Sequence, residues 1–132
     1  QTGCPARSRA RTSVEEIVDG VYRRTLADGS VLSSTDESPL ARRLRDEDAD
    51  LLAVNEVLSA DPALAPLVAQ APWRRVPGHV DGFEVAVRAI LGQQVSVAAA
   101  RTNAARLVAE HGEALASPSG SLTHRWPTPA AT

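Results

Sequence analysis

Between Arg88 and Gly112 the chain reads RAILGQQVSVAAARTNAARLVAEHG, an Ala-rich helical run broken by Gly92, Gln93 and Gln94. The break forbids one continuous helix and requires two, each with its own ends. Asp81 and Glu84 stand in capping-box spacing and open the first helix, whose Phe83, Val87 and Ile90 share a face. Gly92 ends it. Ser96 is placed to cap the second helix, with an apolar stripe of Val97, Ala100, Ala104, Leu107 and Val108 that runs to a stop at Gly112. Two readings of the turn stay open at this point. Gly92 is a helix C-cap and the glutamines are exposed linkers, or the turn projects amide side chains and bare backbone N–H groups toward base edges or phosphates.

The rest of the chain organises around this pair. Residues 1 to 13 have no periodicity and are expected to lack structure. Val21 to Leu26 and Ser30 to Leu32 are short β-type runs around an Asp28-Gly29 pair of the kind that closes hairpins. Residues 33 to 40, SSTDESPL, have a linker's composition. Leu51, Val54 and Leu58 mark one apolar helix face, and Asp46, Asp48 and Asp50 read as its solvated start. Asp61 with Pro62 reads as an N-cap and first turn of a further helix. The segment after Gly112 is loop-like.

At 132 residues the chain has room for one ordinary domain, and 43% hydrophobic with 23% charged residues is a globular balance. No apolar run approaches the ~20 residues of a membrane span, and no secretory signal opens the chain. With a lone Cys4, a reduced, cytoplasmic setting is expected. All fourteen basic residues are Arg. Without a Lys amine, lyase chemistry through a Schiff base on an enzyme Lys cannot come from this chain. The net charge of -2 argues against a strong nonspecific hold on nucleic acid. Arg is locally concentrated at Arg7, Arg9 and Arg11, at Arg23 and Arg24, and at Arg42, Arg43 and Arg45. Each cluster reads as solvated surface or as a phosphate contact. His79, His111 and His124 are too far apart, and too short of partners at ligand spacing, for a metal site.

RVPGHVDGFEVAVRAILGQQVSVAAARTNAARLVAEHG, residues 75 to 112, closely resembles the DNA-3-methyladenine glycosylase II (AlkA-type) family of the helix-hairpin-helix glycosylase superfamily. LSADPALAPLV before it, LTHRWPTPAA after it and SVEEIVDGVYRRTL near the start resemble the family at those places. The resemblance implies a curled antiparallel sheet beside a helical domain, α+β in the full family. It implies base-excision repair, in which an alkylated purine is flipped out and its N-glycosidic bond hydrolysed without a cofactor. The implied partner is double-stranded DNA containing alkylated bases, with no membrane. On the residues that match, Gln94 falls at the minor-groove wedge and Gln93 beside the lesion pocket. The implied DNA-contacting set is Gly92, Gln93, Gln94 and Ser96.

The departures shape the expectation. The family's Gly-rich hairpin and catalytic Asp lie beyond the point where this chain stops, and no acid follows Glu113, so no catalytic residue is assigned. The expected architecture is mainly α: a partial helix-hairpin-helix glycosylase helical domain at 47–116, a disordered start with a remnant β-hairpin and linker at 1–46, and a C-terminal loop at 117–132. Phe83 by its spacing is core, and Trp73 and Trp126, in Pro-flanked loops, are expected to cover it. Without partner helices, the Val97 to Val108 stripe is expected to be exposed and to drive self-association.

Overall fold

A computed structural model describes residues 12–131. Cys4, the Arg7, Arg9 and Arg11 group, and most of the segment expected to lack structure lie outside them. The order of elements is β1 (Glu15–Val18), β2 (Val21–Thr25), β3 (Val31–Ser33), α1 (Pro39–Leu44), α2 (Leu51–Ser59), α3 (Ala65–Gln70), α4 (Gly82–Leu91), α5 (Val97–His111), β4 (Glu113–Ser119) and β5 (Leu122–Arg125), closed by a 3-10 turn at Pro129–Ala131. Among the described residues, five helices and two small sheets make a mixed α and β chain rather than a mainly α one. It divides into two compact units, one of residues 37–79 and one of the residues on either side of that segment.

In the flanking unit the expected hairpin is a three-stranded antiparallel sheet in the order β1-β2-β3. Ile17 opposes Tyr22, and Arg24 opposes Leu32. Asp28-Gly29 does close β2 on β3, with Asp28 Oδ1 accepting from the Ser30 amide at 2.9 Å. The first strand is joined through Asp19 and Gly20, both at positive φ (51° and 80°), the conformation that two-residue hairpins of right-handed twist require. β1 points its charge inward: Val14 and Glu16 are buried, while Ile17 and Val18 are 39% and 44% exposed. That inversion hides the strand from a search for apolar alternation.

The segment after Gly112 is not a loop. β4 and β5 pair antiparallel, with Glu113 opposite Arg125 and Ser119 opposite Leu122. The hairpin is stitched to the start of the chain by amides of Thr123 and His124 donating to Ser13 O (2.9 and 3.1 Å), and by Thr25 Oγ1 donating to His124 O (2.8 Å). Leu122 is fully buried. Ala104 and Val108 of α5 are buried as well, so the second half of the stripe expected to be bare is covered; Val97, at its start, is 69% exposed. At Gly112 a Cβ would lie 2.9 Å from Val108 Cγ1 and 3.0 Å from Arg125 O, which explains glycine where the helix end passes the hairpin.

The 37–79 unit begins with α1, inside what reads as linker. Ser38 Oγ accepts from the Ala41 amide at 3.2 Å and Pro39 starts the helix. Asp50 caps α2, accepting from the amides of Leu52 (3.1 Å) and Ala53 (3.2 Å). The apolar face is open: Val54 is 44% and Leu58 38% exposed. Asp61 accepts from the Ala63 amide at 2.7 Å but caps only a turn, and α3 starts later, at Ala65 before Pro66. Asp46, at φ 56°, takes the Val76 amide on Oδ2 (3.0 Å), while Arg75 Nη1 donates to the carbonyls of Asp46 and Ala49, so this acid is structural rather than solvated. Trp73 covers no core, being 72% exposed.

Candidate nucleic-acid interface

The turn between α4 and α5 forms because both helices are closed by local bonds. At the end of α4 the Gly92 amide donates to Arg88 O and Ile90 O, and the Gln93 amide to Ile90 O at 3.1 Å. Ser96 is extended (φ -67°, ψ 156°), and its Oγ accepts from the Ala99 amide at 3.2 Å to start α5. Gly92 is the C-cap, yet it sits in right-handed conformation (φ -86°, ψ -9°). The chain reversal falls instead on Gln94, at φ 57°. A side chain of this size in the left-handed region costs about 1–2 kcal/mol that glycine would avoid. Gly92, Gln93, Gln94, Val95 and Ser96 are all exposed. The structure thus brings the four residues expected to contact DNA together on one open loop.

Beside the loop is a shallow pocket in the α4–α5 seam, lined by Arg88, Gly92, Val95, Val97, Ala100 and Arg101, with Ala104 at its base. Its lining is mostly apolar, with Arg88 and Arg101 as its charged members.

What holds α4 behind the loop is a buried ionic cluster. Asp81 caps α4 as expected, its Oδ1 accepting from the Glu84 amide at 2.8 Å. Glu84 does not complete the capping box. Its carboxylate is buried, accepting from Arg24 Nη2 of β2 on one oxygen and from Arg88 Nε at 2.7 Å on the other. The buried residue of α4 is therefore this acid, while Ile90, assigned to the core face, is 65% exposed. Burial is the largest influence on the Arg24 pKa and lowers it, but the Glu84 charge and hydrogen bond together with Tyr22 and Glu15 offset it and the net direction is upward, so the guanidinium stays charged. Arg88 Nη2 lies 3.3 Å from Glu15 Oε1, in ion-pair range, and its guanidinium carbon is 4.7 Å from the centre of the Trp126 ring. Tyr22 Oη donates to the other Glu15 oxygen at 3.0 Å. Composition alone does not reveal this cluster; the Glu84 and Arg88 spacing of i and i+4 was its one legible trace.

Among the described residues, no group of three or more His, Cys, Asp or Glu side chains could hold a metal ion, and no helix is long and apolar enough to cross a membrane.

Residues 30–81 match the family described as the AlkA N-terminal domain. The chain is 42% identical over 136 aligned positions, 86% of its length, to the probable bifunctional transcriptional activator/DNA repair enzyme AlkA of Mycobacterium tuberculosis (strain H37Rv). It is 38% identical over 126 positions, 82% of its length, to DNA-3-methyladenine glycosylase 2 of Escherichia coli (strain K12). It spans 27% of the first relative and 45% of the second. The chain belongs to the AlkA-type family of DNA repair glycosylases.

Proposed function

We propose that this chain is the DNA-engaging part of a base-excision repair glycosylase of the 3-methyladenine type, whose reaction is hydrolysis of the N-glycosidic bond of alkylated purines. The observation that carries the reading is Gln94: a long polar side chain held in left-handed backbone at the tip of an exposed turn, where glycine would serve a mere connection better. Gln94 enters the duplex at the displaced base and its amide hydrogen-bonds the orphaned partner. Gln93 faces the vacated space, and the exposed backbone around Gly92 and Ser96 approaches the strand. Bond cleavage needs a carboxylate beside the developing sugar cation. Asp81 and Glu84, the acids of α4, are committed to a cap and to two guanidiniums. The reading therefore has this chain bind without cleaving. It also has Leu52 and Val57 of α2, 84% and 73% exposed, support self-association, which sedimentation would detect.

The test pairs two measurements on the purified chain at low salt. Binding should be tighter to a duplex with an abasic gap than to an intact one, because the gap removes the unstacking cost of a few kcal/mol. Release of 3-methyladenine from alkylated DNA should not exceed background. Equal binding to both duplexes would overturn the wedge assignment, and release by the chain would show an acid at work that this reading does not place.

A further inference from the structure

Among the described residues, the arginine clusters that could meet a phosphate backbone are engaged elsewhere. Arg23 pairs with Glu16 at 2.7 Å and donates to Ser119 Oγ, and Arg24 and Arg88 hold Glu84. Arg42 pairs with Asp48 at 2.7 Å and Arg45 with Glu47 at 2.5 Å, while Arg43 Nη2 meets His79 Nε2 at 3.3 Å. On α5, by contrast, Arg101 and Arg106 are exposed and have no side-chain hydrogen bond or ion pair among the described residues. They differ in place. Arg101 lines the seam pocket together with Gly92 and Val95 of the turn. Arg106, five positions on, points about 140° away around the helix at ~100° per residue, and takes no part in the pocket.

We propose that Arg101 anchors a DNA phosphodiester beside the point where Gln94 enters, with the deoxyribose of that nucleotide lying on Val95 and Val97. The proposal rests on the reading of the turn given above and adds a residue to it. A guanidinium with no carboxylate to give up is free to take two phosphate oxygens through its planar fork, whereas recruiting Arg23, Arg24 or Arg42 would first break an ion pair. The pocket suits the remainder of a nucleotide. Val95 and Val97 are 44% and 69% exposed, an apolar surface matched to the C–H face of a sugar and unsuited to water. With a net charge of -2 working against approach to DNA, one cation fixed next to the turn sets both position and register.

Arg101→Gln, Arg101→Lys and Arg106→Gln would be compared with wild type on intact and abasic duplexes across a salt series. Arg101→Gln should weaken binding to both duplexes by about tenfold, the loss of one charge-assisted contact, and lower the slope of log K against log salt by about 1. Its preference for the gap should persist, because Gln94 is intact. Arg101→Lys should recover the slope but not the full affinity, since an ammonium lacks the fork. Arg106→Gln should behave as wild type. An unchanged slope in Arg101→Gln, or an equal loss in Arg106→Gln, would overturn the anchor while leaving the wedge standing. No preference for the gap in wild type would instead overturn the wedge reading beneath it.

Discussion

Glu84, in the first turn of α4, and Arg24, in β2, form an ion pair with both side chains buried, 3% and 8% exposed. The same carboxylate holds Arg88 one helical turn on, so sheet and helix are joined through charge rather than through apolar packing. Among the described residues of the unit, few buried apolar side chains back this arrangement: Val14, Leu32, Ala104, Val108 and Leu122, against Thr12, Glu16, Arg24, Thr25 and Glu84. Desolvation costs are met only while every member keeps its partner.

Removing that one charge should therefore be severe. Glu84→Gln leaves two guanidiniums facing an amide and is expected to destabilise the fold by about 3–5 kcal/mol. Asp81→Ala, three residues earlier, removes only the helix cap and should cost about 1 kcal/mol. Denaturant midpoints of the two variants check the order, and comparable losses would show that the pair is not what joins α4 to the sheet.

Stability should fall at both ends of the pH range. Hydrogen bonds from Ser121, together with Arg23, hold Glu16 below its ordinary value despite burial, so its contribution is complete above about 4.5 and is lost as pH falls through the lower folded value. Burial, and then the Glu15 charge, push the Tyr22 phenol up to about 12. Its contribution is present below about 10, the unfolded value, and is lost as pH rises toward about 12. Tyr22 is the chain's single tyrosine, so phenolate absorbance reports it alone. A phenolate midpoint near 10 would mean that Tyr22 is neither buried nor beside Glu15, and Glu16→Gln should flatten the acid limb of a stability profile.

Two glycine substitutions should move in opposite directions. Gly112→Ala places a methyl against Val108 and Arg125 O, and is expected to cost about 1–3 kcal/mol. Gly82→Ala, at the start of α4 with nothing within 4 Å of the new methyl, should stabilise by about 0.4–1 kcal/mol. Thermal melts decide the signs, and a neutral Gly112→Ala would contradict the close approach of α5 to the C-terminal hairpin.

What the sequence disclosed was what neighbouring residues determine. Asp81, Ser96 and the Asp28-Gly29 turn act over two or three positions, and all are found in those roles. What it concealed depends on distant partners. Glu84 reads as the second half of a capping box because the local motif is complete, and only Arg24, sixty positions away, draws it inward. β4 reads as loop because EALASPS lacks alternation; its conformation comes from pairing with β5, and β5 in turn from bonds to Ser13 and Thr25. Gly92 is the helix C-cap that its position implies, but the left-handed residue of the turn is Gln94, a choice that local composition argues against. Such a departure from local preference is expected where a side chain serves something beyond the fold.

The most direct test of that departure is a duplex carrying 2-aminopurine opposite an abasic gap, titrated with wild type and with Gln94→Gly, alongside their thermal melts. Glycine relieves the left-handed backbone, so the variant should melt at the same temperature or higher, by the equivalent of about 1 kcal/mol. If Gln94 enters the gap and bonds the unpaired base, wild type should change the 2-aminopurine fluorescence on binding and Gln94→Gly should bind with no such change. The same fluorescence change from both proteins would contradict the account and leave Gly92, Gln93 and Gln94 as a connection between two helices.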